Sequence, residues 1–194
     1  MNLPNKLTLA RCIMTPIFLA FMVITFPHHY AAALLVFVLA SLTDWLDGHI
    51  ARKHNLVTNL GKFLDPLADK ALTTAAYLGL MHVVSNRSLV WALFLVLIRE
   101  FAVTSVRLMA AKDGVVVAAS FAGKLKTVLQ MVSIICSLLY LEVKRYSIIC
   151  DVPNLKSVCV YVVLTLLWMG VAATVVSGIQ YVWQLRHYFK ETTD

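Results

Sequence analysis

Residues 44–52 read DWLDGHIAR, and residues 61–69 read GKFLDPLAD. These two short stretches hold the first four acidic residues of the chain, Asp44, Asp47, Asp65 and Asp69. The next carboxylate along the chain is Glu100, and the flanking sequence is almost wholly apolar. A carboxylate inside a membrane segment costs about 2.5–3.5 kcal/mol, so four of them close together indicate a functional site.

The rest of the chain has the composition of an integral membrane protein. Of its 194 residues, 60% are hydrophobic and 14% are charged, whereas a soluble domain has about 45–50% apolar and about 25% charged residues. Six apolar runs are long enough to span a lipid bilayer as helices, at about 7–26, 30–52, 60–84, 88–111, 120–142 and 157–186. Because these runs use nearly the whole chain, we expect a single membrane domain over residues 1–194, and no nucleic-acid partner.

The distribution of charge and capping residues predicts the topology. Pro4, Asn5 and Thr8 favour the start of a helix that lies at the membrane interface. With six spans both termini share one side, and most Lys and Arg residues fall on that side, which marks it as cytoplasmic. The predicted fold class is therefore an all-α integral membrane protein with six transmembrane helices, an N-terminal interfacial helix and both termini cytoplasmic.

The spacing of the acidic stretches predicts a cleft between two helices. Spacings of three or four residues put one set on a single face of the second span, namely Asp44, Asp47, Gly48 and Ala51. Gly61, Asp65 and Asp69 share a face of the third span in the same way. The link between the spans is short, so the two faces can meet at their cytoplasmic ends.

Four carboxylates in one cleft carry a charge that two divalent cations would neutralise. Hard oxygen ligands favour Mg²⁺ or Mn²⁺ over Zn²⁺, and paired ions of this kind serve phosphoryl transfer. Arg52 has a fork of donors that can bind a phosphate. The small residues Gly48, Ala51 and Gly61 leave room for a substrate, although close packing of membrane helices explains them as well.

Every fixed position of the pattern D-x2-D-G-x2-A-R-x8-G-x3-D-x3-D is present, and the chain resembles the CDP-alcohol phosphotransferase family. A narrower similarity runs from residue 2 to about residue 131 and includes residues 4–11, 43–48, 63–70 and 123–127. It is to the bacterial members that move a phosphatidyl group from CDP-diacylglycerol to sn-glycerol 3-phosphate and release CMP. The resemblance implies a homodimer in the bacterial inner membrane, with the active site facing the cytoplasm.

The same resemblance implies a role for each matching residue. Asp44 and Asp65 would bridge both metal ions, Asp47 would complete the first site, and Asp69 would complete the second. Asp69 would also be the general base for the acceptor hydroxyl. The residues implied for binding CDP-diacylglycerol are Asn5, Thr8, Gly48, Ala51, Arg52, Thr58 and Gly61.

Glycerol 3-phosphate is a dianion, so its pocket needs cations. The candidates near the ends of the fourth and fifth spans are Arg107, Lys124, Lys126 and Arg99. Lys124 and Lys126 lie about 200° apart on a helix, so we expect only one of them to face a given cleft, and we favour Arg107 and Lys124. Glu100 is expected to pair with a neighbouring cation rather than to act in catalysis.

Three other functions stay open at this point. Serine, inositol phosphate or phosphatidylglycerol could be the acceptor in an enzyme of the same family, because the aspartates do not select the acceptor. A membrane prenyltransferase also uses aspartate-rich motifs with Mg²⁺, although the glycine and the Ala-Arg pair argue against it. A divalent cation transporter should carry acidic residues along a full transmembrane path, whereas these cluster at one end.

Overall fold

The computed structural model describes the backbone of residues 3–54, 59–84, 86–112, 121–146 and 155–191. The side chains that it describes are those of residues 5–44, 64, 67–84, 86–107, 121–146 and 156–183. The described residues form α1 (Leu3–Val23), α2 (His29–His54), α3 (Asn59–Val83), α4 (Ser88–Lys112), α5 (Phe121–Arg145) and α6 (Leu155–Glu191). The prediction of an all-helical fold is confirmed.

In the part of the chain that the structure describes, four helices are long and apolar enough to cross a membrane. They are Asn5–Val23, Ser88–Arg107, Phe121–Arg145 and Lys156–Trp183. A shorter apolar segment covers His29–Asp44 in α2. These lengths and compositions are those of a multi-pass membrane protein. Spanning by 30–52 and 60–84 stays a prediction.

The helix start predicted at Pro4, Asn5 and Thr8 corresponds to the first turns of α1, which is continuous over Leu3–Val23. Asn5 and Thr8 are buried on this helix. The interfacial position of its first residues stays a prediction.

One compact unit contains residues 1–89 and 135–156, and its centre is α1. α1 packs along both α2 and α3 in the part of the chain that the structure describes. The rings of Phe18 and Phe37 lie 5.8 Å apart at the α1–α2 contact. Gly79 allows α3 to approach α1 closely, because a Cβ at that position would lie 2.8 Å from Cγ of Met22. Both motif helices are therefore positioned by α1.

The end of α5 holds the turn between α1 and α2. Glu142 places one carboxylate oxygen 2.7 Å from Nδ1 of His28 and accepts the backbone N–H of Ala31 at 3.1 Å with the other. The Tyr146 hydroxyl accepts the backbone N–H of His28 at 2.9 Å, and their rings stack. The carboxylate at the first turn of α2 suits the positive end of that helix. These contacts fix the start of α2.

A second compact unit contains residues 90–134 and 157–194, so it includes α4, the first half of α5 and α6. Gln130 donates to Thr174 at 3.3 Å between α5 and α6, and Thr174 also donates to the Gly170 carbonyl at 2.7 Å. Both side chains are buried. Polar contacts of this kind join membrane helices where apolar contacts alone give no preference over lipid.

Candidate active site

The acidic stretches lie on the two helices that the sequence predicts. Asp44, Asp47, Gly48, Ala51 and Arg52 belong to α2, while Gly61, Asp65 and Asp69 belong to α3. Of these residues, the structure describes the side chains of Asp44 and Asp69. The other six are described by their backbone alone, and Thr58 lies outside the described residues.

Asp44 forms an ion pair with Arg11 of α1, through Nη1 and Oδ1. The Arg11 side chain is 1% exposed, whereas that of Asp44 is 42% exposed. Arg11 also accepts, at its backbone carbonyl, the hydroxyl of Thr15 at 3.0 Å. A buried guanidinium in a membrane helix is costly without an anion, and Asp44 provides one. The exposed part of Asp44 stays accessible to a second ligand.

A polar stripe occupies the first half of the buried face of α1. Asn5, Thr8, Arg11 and Thr15 are all buried and follow one another at three- and four-residue spacing. The stripe then becomes apolar with Phe18 and Met22. Because buried polar groups in a membrane helix are expensive, this half of α1 faces a polar region of the unit rather than lipid.

The helix geometry puts Arg11 and Asp69 at the same level of this unit. α2 follows α1 and precedes α3 in the sequence. Because the chain reverses direction at each of the two connections, α1 and α3 run in the same direction. Met22 lies against Gly79, and Arg11 precedes Met22 by eleven residues while Asp69 precedes Gly79 by ten. At 1.5 Å per residue, both positions are therefore about 15–17 Å from that contact. The polar stripe of α1 thus lies level with the acidic stretches.

Asp69 is exposed on α3, one turn before Thr73. The Thr73 hydroxyl lies 3.3 Å from the Asp69 carbonyl and 3.2 Å from that of Lys70. The Thr73 hydroxyl thus contacts the backbone carbonyl of Asp69 and not its side-chain carboxylate. The side chain of Asp69 is exposed, as the general base that the resemblance implies at this position would have to be.

Among the side chains that the structure describes, no three His, Cys, Asp or Glu groups lie together as ligands of one metal ion. Two of the four predicted ligands, Asp47 and Asp65, have side chains outside that described set. The chemistry of the donors fits a hard divalent cation, because all four are carboxylates. The contact between Asp44 and Arg11 shows in addition that positive charge is stabilised at this end of α2.

The second unit contains a buried cluster of charged groups. Glu100 of α4 contacts the ammonium of Lys126 from α5, and it lies 3.4 Å from Nη1 of Arg99. Arg99 also donates through Nη2 to the Ser177 hydroxyl of α6 at 2.9 Å. The side chains of Arg99, Glu100 and Lys126 are 10%, 15% and 8% exposed. The prediction that Glu100 pairs with a neighbouring cation is confirmed.

Lys124 and Lys126 do lie on different faces of α5. Lys124 is exposed and Lys126 is buried against Glu100. The burial therefore favours Lys126 as the lysine that faces the interior of this unit, whereas the sequence favoured Lys124. The difference arises because the helical angle separates the two lysines but does not show which one faces Glu100.

Arg107 is held by Tyr181 of α6. Its guanidinium donates to the Tyr181 hydroxyl, and its Cζ lies 4.8 Å from the centroid of the same ring. Tyr181 is fully buried, while Arg107 is exposed. An aromatic ring restrains a guanidinium without neutralising its charge. Arg107 is therefore oriented and keeps its capacity to bind an anion.

Sequence reasoning missed Arg11 and Tyr181 as parts of these clusters. Arg11 is one of the cations that mark the cytoplasmic side and lies in the similar stretch at residues 4–11, but the sequence analysis assigned it no role in the site and did not connect Tyr181 with Arg107. For Arg11 a signal was present, because it follows Thr8 by three residues and so continues the stripe from Asn5 in an otherwise apolar helix. The sequence has no comparable signal for Tyr181, since the contact joins residues 74 positions apart.

Comparison with known proteins identifies the class. The profile described as CDP-alcohol phosphatidyltransferase matches residues 1–183, and the chain belongs to that family. The resemblance that the aspartate motif predicted is thus confirmed.

Individual relatives narrow the comparison. The chain is 41% identical over 192 residues to the CDP-diacylglycerol–glycerol-3-phosphate 3-phosphatidyltransferase of Bacillus subtilis (strain 168), covering 93% of each chain. It is 37% identical over 191 residues to the protein of that name from Rickettsia bellii, covering 97% of each chain. It is also 41% identical over 136 residues to a probable phosphatidylglycerophosphate synthase of Mycobacterium tuberculosis, covering 69% of this chain and 64% of that one.

Proposed function

We propose that this chain transfers the phosphatidyl group of CDP-diacylglycerol to sn-glycerol 3-phosphate, giving phosphatidylglycerophosphate and CMP. The reaction belongs to the biosynthesis of phosphatidylglycerol and cardiolipin. The observation that carries the proposal is the 37–41% identity, over nearly the whole chain, to transferases named for this reaction. The complete aspartate motif supports it, because the phosphotransfer needs such a set of carboxylates.

Two divalent cations, Mg²⁺ or Mn²⁺, would be held by Asp44, Asp47, Asp65 and Asp69. When bound, they would neutralise the diphosphate of the donor and polarise its phosphorus–oxygen bonds. Arg11 supports this role as a positioning residue, because it holds one oxygen of Asp44 from the buried side. The exposed part of the same carboxylate then faces a ligand.

The remaining residues of the motif have complementary roles in this proposal. Asp69 accepts the proton of the acceptor hydroxyl, whose oxygen attacks the phosphorus that carries the lipid. The bond from that phosphorus to CMP breaks, and Arg52 binds the departing phosphate. The residues proposed to bind CDP-diacylglycerol are Asn5, Thr8, Gly48, Ala51, Arg52, Thr58 and Gly61. Burial of Asn5 and Thr8 in the polar stripe of α1 supports their part in it.

The acceptor phosphate is proposed to bind the cations of α4 and α5. Arg107 is oriented by Tyr181, and Lys126 is buried beside Glu100, so these two are the stronger candidates. Arg99 and Lys124 complete the proposed set. A phosphorylated acceptor needs such cations, whereas serine does not, and this favours glycerol 3-phosphate over a neutral alcohol.

The setting that we propose is the bacterial inner membrane. Six spans with both termini in the cytoplasm would place the acidic ends of α2 and α3 on the cytoplasmic side, where water-soluble glycerol 3-phosphate is available. The net charge of +7 supports this orientation next to an anionic leaflet. A single membrane domain over residues 1–194 in a homodimer completes the proposal.

The test is an assay of CMP release by purified protein in detergent. The protein is incubated with CDP-diacylglycerol, Mg²⁺ and one acceptor from a panel of glycerol 3-phosphate, serine, inositol phosphate and phosphatidylglycerol. We expect release with glycerol 3-phosphate alone, and none for Asp69→Asn, whose thermal unfolding should match that of the wild type. Release with another acceptor would overturn the assigned substrate, and no release with any acceptor would overturn the proposed reaction.

A further inference from the structure

Two adjacent histidines in the turn between α1 and α2 have opposite surroundings. His29 is 1% exposed, whereas the side chain of His28 is 67% exposed. His28 has a φ of 57°, a left-handed conformation that residues with a bulky side chain rarely adopt. Such a turn relaxes unless contacts from elsewhere hold it, and here they come from Glu142, Arg145 and Tyr146 at the end of α5.

The position of the proton on His29 follows from its two contacts. Nδ1 lies 2.9 Å from the backbone carbonyl oxygen of Phe21, which can only accept a hydrogen bond, so Nδ1 carries the proton. Nη1 of Arg145 faces Nε2, and a guanidinium can only donate, so Nε2 is the acceptor. Both contacts together assign the neutral ring, protonated at Nδ1, to this structure.

A second proton on His29 is incompatible with the contact to Arg145. It would bind at Nε2, so that two hydrogen-bond donors and two positive charges would face each other. The ring is buried, and the ring of Phe26 packs on it with the centroids 5.8 Å apart, so water cannot screen this repulsion. The contact between His29 and Arg145 therefore exists only while the histidine ring is neutral.

The other titratable groups at this end of the unit respond differently to acid. Nδ1 of His28 lies 2.7 Å from a carboxylate oxygen of Glu142, so a proton on His28 strengthens that contact, but exposure to solvent keeps the gain small. The remaining charged or titratable side chains described here are Tyr30, Tyr146, Lys144, Arg87 and, near the end of α3, His82. Tyrosines do not change charge near neutral pH, and the lysine, the arginine and His82 are exposed. Among the described residues of this end, His29 is thus the buried group that changes charge near neutral pH.

We infer that this cluster is an acid-sensitive clasp, formed by His28, His29, Glu142, Arg145 and Tyr146. It holds the start of α2 against the end of α5 while His29 is neutral, and it opens when His29 takes up a second proton. The clasp lies at the end of α2 opposite to the aspartate motif, since Asp44 follows His29 by fifteen residues, or about 22 Å of helix. In the proposed topology this end lies on the side of the membrane away from the cytoplasm, and the clasp responds to the pH on that side.

Hydrogen–deuterium exchange of the full-length protein in detergent tests the clasp without turnover, so the outcome does not depend on the proposed reaction. The backbone N–H of His28 donates to the Tyr146 hydroxyl at 2.9 Å, and that of Ala31 donates to Glu142 at 3.1 Å. Opening of the clasp frees both groups, so peptides that cover residues 26–33 report on it. Peptides that cover residues 74–82, at the contact of α3 with α1, are the reference. Protection factors, which correct for the intrinsic pH dependence of exchange, are compared at about pH 7.5 and about pH 5.5.

We expect the protection factor of residues 26–33 to fall about tenfold between these two pH values, while that of residues 74–82 stays constant. A histidine released into water titrates near about pH 6.5. Because His29 stays neutral in the closed clasp, opening takes up close to one proton at the lower pH. From one pH unit above this midpoint to one unit below it, the opening constant then rises by about a factor of ten.

His29→Gln should abolish the pH dependence. Its carboxamide can donate to the Phe21 carbonyl and accept from Arg145, but it cannot take up a proton. His28→Gln is the matched control and should keep the tenfold loss, because it leaves both contacts of His29 in place. If His29→Gln does not fold, Arg145→Met provides a second test. This variant removes the donor that faces Nε2, so protection should be low already at the higher pH and should fall little further at the lower pH.

Three outcomes would overturn the inference. Constant protection of residues 26–33 across this pH range in the wild type would mean that the clasp does not respond to acid. An undiminished loss of protection in His29→Gln would mean that another group carries the response. A loss that disappears in His28→Gln and persists in His29→Gln would assign the response to the contact between His28 and Glu142 instead.

Discussion

The close contact between α1 and α3 makes a sharp prediction about two glycines. A Cβ added at Gly79 would lie 2.8 Å from Cγ and 3.0 Å from Cβ of Met22, which is fully buried. Rotation about χ1 can move Cγ, but Cβ is fixed to the α1 backbone, so the side chain cannot relieve the whole contact. Overpacking costs about 1–3 kcal/mol, and we take about 3 kcal/mol here because the contact involves Cβ. The helix propensity of alanine is about 1 kcal/mol more favourable than that of glycine. The net effect of Gly79→Ala should therefore be a destabilisation of the protein by about 2 kcal/mol.

Gly170→Ala is the matched control. A Cβ there would meet its nearest atoms, including Cγ of Gln130, at 3.6 Å, which is ordinary van der Waals contact. Because this substitution causes no overpacking, only the more favourable helix propensity of alanine acts. Gly170→Ala should therefore stabilise the protein by about 1 kcal/mol.

Thermal unfolding of the purified protein in detergent measures both effects. For a chain of this size, 1 kcal/mol corresponds to about 2–4 °C, so Tm should fall by about 4–8 °C for Gly79→Ala and rise by about 2–4 °C for Gly170→Ala. In a Met22→Ala background, which lacks Cγ, the Gly79→Ala loss should shrink. A Tm for Gly79→Ala at or above that of the wild type would refute the reasoning.

Three further predictions concern the charged groups. Arg11→Met should lower the rate of CMP release about 10- to 100-fold, as is typical when a partner of a metal-binding side chain is lost. Lys6→Met, on the exposed face of α1, is the control and should leave the rate unchanged. Equal rates for both variants would contradict the positioning role of Arg11. Glu100→Gln removes the carboxylate that contacts the buried Lys126, so the free energy of unfolding should fall by about 3 kcal/mol. Denaturant titrations measure this loss. An unchanged midpoint of the titration would count against the buried ion pair. Removal of divalent cations with EDTA should abolish CMP release, and Mg²⁺ or Mn²⁺ should restore it, whereas activity that persists in EDTA would exclude the metal proposal.

The helices were largely predictable because apolar runs and their breaks are local properties of the sequence. The span predicted at 30–52 corresponds to α2 at His29–His54, and the one at 60–84 corresponds to α3 at Asn59–Val83. The positions of the four aspartates on these helices follow directly. What the sequence does not contain is the packing between helices, and the packing of α1 against both α2 and α3 was therefore not predicted.

The same limit explains the errors at the level of single residues. The angle between Lys124 and Lys126 follows from helix geometry, but the choice of the buried one depends on where Glu100 of another helix lies. Arg11 meets Asp44 across 33 residues of sequence, and no local pattern encodes that pairing.

The ion pair between Arg11 and Asp44 has a consequence for synthesis of the protein in the cell. Arg11 emerges from the ribosome 33 residues before Asp44, which at about 5–20 residues per second corresponds to a delay of about 2–7 s. During that interval the first helix carries a guanidinium with no anion to accept it, and release into lipid would cost about 2.5–3.5 kcal/mol. The first helix should therefore wait beside the translocation channel until the second arrives, so that the two enter the bilayer as a neutral pair.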